Sequence, residues 1–270
     1  MFSRSFQPSI VSLFSSTGSD PLTGLWSVEK DDALPEDSFI HFLHDETSLP
    51  APPRDRNLVS EDDANTSRQM TRLDQTVLHL QSPTLPTTFI RCPSVGSDLH
   101  LKHPWLHIQV KQLGREWSFE VGIVDHAGRE GTIRCSTFKV TACFPLSLHY
   151  SSLSSLPHQK QPSLKLSPDA PPLLHLPLMF PPTSSLPLTS WCSVDLNVAT
   201  YLPSFSASSL LATPDRDCPS GPMRPVPSGT FSHISYIKLY ATCRLRRVWL
   251  SETWPLDQRV PWEFELYSST

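Results

Sequence analysis

The densest group of side chains able to do polar chemistry lies late in the chain, where Arg244, Arg246 and Arg247 follow Lys238 and precede Trp249. A guanidinium presents its donors in a planar fork that matches a carboxylate, and an adjacent indole can anchor a protein contact. Lys238, Arg244, Arg246, Arg247 and Trp249 are therefore the candidate partner-binding set. Strict alternation puts Arg244 and Arg246 on one face of a strand and Arg247 on the other, so one surface can use all three only if a bulge intervenes. The competing readings are a solvated strand edge for the arginines and core packing for Trp249, Trp254 and Trp262.

Other groupings carry less chemistry. His41 and His44 in HFLHDE sit beside Asp45 and Glu46, a ligand-like mixture. The segment reads as mobile, however, and a metal site needs preorganised ligands. His100, His103 and His107 read as surface histidines. Asp125 and His126 are adjacent but fall in an expected turn, with no nucleophile elbow or phosphate loop beside them. The six cysteines show no CxxC pair and no histidine at zinc-finger spacing. Most fall in strand-like runs and read as small buried hydrophobes in a reducing compartment. No catalytic residue, no metal site and no cofactor are expected, although a sugar-binding sandwich is a rival reading, because fold alone does not fix function.

The elements that must hold these residues are strands. TVLHL (76–80) and TTFIRC (87–92) are β-branched and aromatic runs separated by a proline-marked turn, and are expected to form a hairpin. In WLHIQVK, Leu106, Ile108 and Val110 alternate with His107, Gln109 and Lys111, so the apolar set should face inward. After a turn at Gly114, Trp117, Phe119, Val121 and Ile123 repeat the pattern, and these two strands are expected to pair with each other. A Gly-bearing loop at 125–131 leads to a third strand, TIRCSTFKV. LLHLPLMF, WCSVDLNV, ISYIKLYATC, RRVWL and EFELY resume strand character later, with Ile237, Leu239, Ala241 and Cys243 on one face and Tyr236, Lys238, Tyr240 and Thr242 on the other. No long stretch sustains helical spacing. About ten short strands need two layers to cover their apolar faces. The expected fold is an all-β, antiparallel β-sandwich or jelly-roll-like single domain over residues 1–270, with disordered insertions.

Composition locates those insertions. The chain has 28 Pro against 9 Gly, and 38% hydrophobic residues. Residues 145–172 and 204–229 are Ser/Pro-rich and lack periodicity, so they read as disordered. Residues 27–75 form an acidic insertion; between positions 29 and 74 lie twelve carboxylates and five Lys or Arg. With a net charge of −4 there is no basic field to attract nucleic acid, and no apolar run approaches the roughly 18 residues of a membrane span. A soluble chain is expected, with no small-molecule substrate. The N-terminus imitates a targeting peptide poorly, since Pro8 interrupts it and the apolar run at 10–14 is short.

Several segments in order, MFSRSFQPSIVSLFSSTGSDPL, TTFIRCP, WLHIQVKQL with WSFEVGIVD, and above all CRLRRVWLS (243–251) followed by VPWEFELY (260–267), resemble the cilia- and flagella-associated protein 20 family. The resemblance covers roughly residues 1–26, 76–144, 173–204 and 230–267. It implies a single β-sandwich acting as a non-catalytic structural protein of the axoneme and basal body in cilia and flagella, on the doublet microtubules of the cytoskeleton, with tubulin or axonemal proteins as partners. Members are also linked to the nucleus, and a nuclear interaction adaptor is the alternative expectation. One departure matters: typical members carry a basic stretch where this chain has its acidic segment, and tubulin surfaces are themselves acidic.

Overall fold

The computed structural model describes residues 6–18, 21–22, 24–50, 59–60, 72–73, 76–138, 162–180, 191–211, 224–254 and 264. In chain order the strands are β1 (Ile10–Ser15), β2 (Ser27–Glu29), β3 (Phe39–His44), β4 (Val59–Ser60), β5 (Arg72–Leu73), β6 (Thr76–Gln81), β7 (Phe89–Cys92), β8 (Trp105–Gln112), β9 (Ser118–Asp125), β10 (Glu130–Ser136), β11 (Ser163–Lys165), β12 (Leu173–Pro177), β13 (Trp191–Asn197), β14 (Phe231–Tyr240) and β15 (Cys243–Ser251). Two short 3-10 helices, Val198–Ser206 and Ser208–Leu210, follow β13.

The strands form two main sheets. The first runs β13-β8-β15-β6-β3, with β1 also pairing β15, and the second runs β11-β12-β10-β9-β14-β7-β2. Among the described residues β4 and β5 pair with each other alone. The fold is an all-β sandwich, as the alternation requires. Leu106, Ile108 and Val110 of β8 and Phe119, Val121 and Ile123 of β9 belong to one fully buried core cluster. Each such side chain contributes about 2 kcal/mol by leaving water. One pairing is parallel, β10 with β12. Parallel neighbours need a long crossover, which the chain between Ser136 and Leu173 supplies.

Alternation fixed faces correctly but not partners. β8 pairs β15 and β13, whereas β9 pairs β10 and β14, so the expected β8–β9 hairpin is an arch that carries the chain from one sheet to the other. Trp117 in that arch is fully buried and donates Nε1–H to the carbonyl of Tyr240. Likewise β6 lies in the first sheet and β7 in the second, so TVLHL and TTFIRC form no hairpin. An arch and a hairpin both present one apolar face to the core, so their patterns are identical in sequence. ISYIKLYATC also divides: β14 stops at Tyr240, and residues 241–242 turn the chain into β15 in the opposite sheet. The β9–β10 pair does form, closed by a loop in which Gly128 has a φ of 76°, a conformation that favours glycine.

The expected insertions are partly built into the sandwich. The acidic segment supplies β2 and β3, which edge the two sheets. In the Ser/Pro-rich region 145–172, β11 pairs β12 and Leu164 enters the core. In 204–229, Phe205 is buried and touches the space beside Gly131, where a methyl group would lie 2.8 Å from its ring. Single apolar residues in polar surroundings anchor these pieces, and an average over composition hides them. The rest of these segments, 51–58, 61–71, 74–75, 145–161 and 212–223, lies outside the described residues, as does EFELY apart from Phe264.

Candidate interaction surfaces

The outward face of the first sheet carries most of the expected docking set. Against β8, Arg244 lies opposite Lys111, Arg247 opposite Gln109 and Trp249 opposite His107, with the register slipping between Leu245 and Arg247. That bulge makes Arg246 the extra residue and brings Arg244 and Arg247 to one face. The two arginines and Trp249 therefore share a surface that simple alternation denies them.

That surface is largely occupied from within the chain. Asp45 accepts from Arg244 Nη1 at 2.9 Å and from Trp191 Nε1 at 2.7 Å, and lies 3.4 Å from Lys111 Nζ. Arg244 also donates to the Asp45 carbonyl and to Ser48 Oγ. Burial alone would raise the pKa of Asp45, but the hydrogen bonds from Trp191 and Arg244, with the charges of Lys111 and Arg244, outweigh it and hold the carboxyl below the ordinary aspartate value. The carboxylate expected from a partner thus comes from the acidic segment itself. This also corrects the expectation that residues around His41 and His44 are mobile, since β3 pairs β6 along its whole length.

Further along the same face, His107 is enclosed. Its ring stacks on Trp249 at 4.9 Å, and Trp105, two residues back on the same strand, lies nearly parallel to it at 6.4 Å. Nδ1 lies 2.6 Å from Asp195 Oδ1, and Nε2 lies 2.8 Å from Ser251 Oγ. The order carboxylate, imidazole, hydroxyl matches that of a hydrolase triad. Here Ser251 donates its hydroxyl to the Thr253 carbonyl and is 6% exposed. The chain of contacts therefore locks β13, β8 and β15 together. Trp249 is 4% exposed and meets Phe264 edge-on, while Arg247 lies over the same phenyl ring. His107 and His103, expected at the surface, are both buried, and His103 Nε2 lies 2.7 Å from the Pro8 carbonyl.

Lys238 stands on the other side of the molecule, on the outward face of the second sheet. Its ammonium sits 3.6 Å from the Phe89 ring centre and 4.6 Å from that of Tyr240. Arg91, its cross-strand neighbour, lies 4.0 Å over Tyr236. Gly122 opposite Tyr236 makes room for that ring, because an added Cβ would sit 2.3 Å from it. Glu120 accepts from Arg134 and from the Tyr240 hydroxyl. Burial lowers the pKa of Lys238, opposed by the charge of Glu120 and assisted by those of Arg91 and Arg134. The result is a plate of half-buried cations held on aromatic rings, each cation keeping one side toward solvent. Sequence reasoning identified Lys238 but missed Arg91 and Arg134; the alternation of β7 and β10 was the available signal, and it needed the strand order to become a surface.

Asp125, weighed beside His126 as a catalytic pair, is a turn organiser. Burial opposes its ionisation, but Arg129 and the backbone N–H groups of Gly229 and Ser228 hydrogen-bond it and hold it at about 2. Cys92, Cys135, Cys192 and Cys243 are buried and form no disulfide among the described residues, and burial pushes Cys92 up to about 12. Cys143 and Cys218 lie outside the described residues.

Together these features define an all-β sandwich whose polar chemistry is displayed on its two outer faces. The CFA20 domain model matches residues 62–149, the stretch that contains β5 to β10, so this part of the chain is similar to the CFA20 family, whose name associates it with cilia. No curated protein matches the chain.

Proposed function

We propose that this protein is a non-catalytic structural component of cilia or flagella that docks on axonemal doublet microtubules through the plate around Lys238. The CFA20 domain match carries the assignment to cilia. The choice of surface follows from geometry. Arg244 is already paired with Asp45, and Trp249 is buried, so neither is available to a partner without rearrangement. On the opposite face Glu120 pairs with Arg134, while Lys238, which feels the charges of Glu120 and Glu29, and Arg91 make no side-chain ion pair among the described residues and rest on aromatic rings. An acidic protein surface such as tubulin offers carboxylates to the solvent-facing donors of these two cations, and the preordered rings reduce the entropy lost on docking. The partners are tubulin or axonemal proteins, and the place is the axoneme and basal body.

Cosedimentation of the purified chain with salt-stripped axonemes tests this reading. Binding is expected to be saturable and to weaken as salt rises, because exposed charges are screened within about 8 Å at physiological ionic strength. The double variant Arg91→Glu with Lys238→Glu should bind about tenfold more weakly. Wild-type protein that stays in the supernatant at low salt, or a folded double variant that pellets equally well, would overturn it.

A further inference from the structure

The seam between the β7–β8 connection and the start of β14 gathers three ligating groups from distant parts of the sequence. Leu99 N–H donates to the Ser235 carbonyl, and Leu101 and Ile234 exchange backbone hydrogen bonds, so residues 98–101 run alongside β14. Leu99, Leu101 and Ile234 point into the core. The intervening Asp98 and His100 therefore project from one side of this seam, next to His233. His100 Nδ1 lies 3.1 Å from His233 Nε2, His233 Nε2 lies 3.2 Å from Asp98 Oδ2, and His100 Nδ1 lies 3.4 Å from Asp98 Oδ1.

We propose that Asp98, His100 and His233 form a zinc site. With Zn–N and Zn–O bonds near 2.0–2.1 Å, the edges of a tetrahedron of ligands are about 3.3 Å long. The two histidine nitrogens stand one such edge apart, and with one Asp98 oxygen the three ligand atoms lie within 4.8 Å of one another, so a small rotation of the carboxylate completes one face of the tetrahedron; two imidazoles with one carboxylate suit that ion. The surroundings hold the ligands in place. Ser232 Oγ lies 3.0 Å from His233 Nδ1, which directs Nε2 toward the other two ligands, as outer hydrogen bonds do around metal-bound histidines. The register of β14 against β9 slips between Phe231 and His233, and again between Ile234 and Tyr236, so His233 sits between two bulges that re-aim it. His100 adopts a φ of 54°, its N–H donates to Asp98 Oδ1, and Gln7 bonds both the His100 carbonyl and the Lys102 N–H. The left-handed conformation costs energy in a non-glycine residue, and strain of this kind gathers at functional sites.

Asp98 and His100 side chains are 34% and 35% exposed and His233 15%, so the fourth position faces solvent. Bound zinc would staple the β7–β8 connection to β14 and leave one coordination site for water or for a partner side chain. This departs from the sequence reading, which grouped His100 with its neighbours His103 and His107. The partner that completes the set lies 133 positions away.

Titration of the chelator-treated full chain with Zn2+, followed by calorimetry, tests the site, with Co2+ as a spectroscopic probe of tetrahedral geometry. One saturable equivalent is expected, along with visible Co2+ absorption and a raised unfolding temperature. Asp98→Asn and His233→Gln should each weaken binding by at least about tenfold, since even the loss of an outer-shell partner costs that much. His126→Gln, at an exposed histidine, should leave it unchanged. Near-UV circular dichroism of each variant verifies that it is folded. Wild-type protein that takes up no stoichiometric Zn2+, or folded Asp98→Asn and His233→Gln variants that bind as tightly as wild type, would overturn the proposal.

Discussion

Asp45 shows how one side chain decides what a surface can do. Its carboxylate faces Arg244, Lys111 and the Trp191 indole at once, with side chains of Asp45 and Arg244 only 16% and 11% exposed. Two charges this poorly solvated depend on each other, and removing one leaves the other stranded. Asp45→Ala is expected to lower unfolding free energy by about 3 kcal/mol, the scale for breaking a largely buried ion pair, as read from urea denaturation. Asp45→Asn keeps the shape and should cost less, while freeing part of the Arg244 charge. The sequence singled out Arg244 as a binder of a partner's carboxylate, and the structure pairs its guanidinium with a carboxylate within the chain. It could not say that the carboxylate would come from 199 positions earlier in the same chain.

At the scale of elements, alternation revealed which residues face inward but not which strands touch. The apolar faces of β8, β9 and β14 are where the sequence puts them, because burial acts on each strand separately. Pairing depends on whether the link between strands folds back within a sheet or arches across the sandwich, and a short Gly-bearing link permits both. The outward residues of β8 illustrate the second limit: His107 and Gln109 alternate with core residues as a solvated face would, yet both are fully buried under tryptophans and Phe264. Edge strand β3 carries a testable consequence. Burial lowers the pKa of His41 and of His79, its cross-strand neighbour, with the Lys30 charge adding to the first and those of Arg244 and His41 to the second. A histidine pKa depressed by folding contributes stability above its unfolded value of about 6.5 and loses it as pH falls below that value. Hydrogen exchange of the β3 amides, corrected for intrinsic rates, should therefore show easier opening at pH 5.5 than at pH 7.5. The His41→Gln, His79→Gln double variant should flatten that difference.

For the whole molecule, the two outer faces have different fates. One is filled by the acidic segment, Trp249 and Phe264, and its interactions hold the first sheet together; the other keeps Arg91 and Lys238 poised on aromatic rings. The fold class was legible from β-strand alternation, and the resemblance to the family whose domain model matches residues 62–149 from motifs such as WLHIQVKQL and WSFEVGIVD, because both are local properties of the chain. The plate around Lys238 and the seam at Asp98, His100 and His233 were not, because each assembles from strands adjacent only in the folded sandwich. The most direct measurement is the distribution of tagged protein in ciliated cells, comparing wild type with the Arg91→Glu, Lys238→Glu variant at matched expression. Wild type should line the axoneme and mark the basal body, and the folded variant should be lost from both. A variant that remains along the axoneme like wild type, or wild type absent from cilia altogether, would contradict a cilium-associated protein that acts through this face.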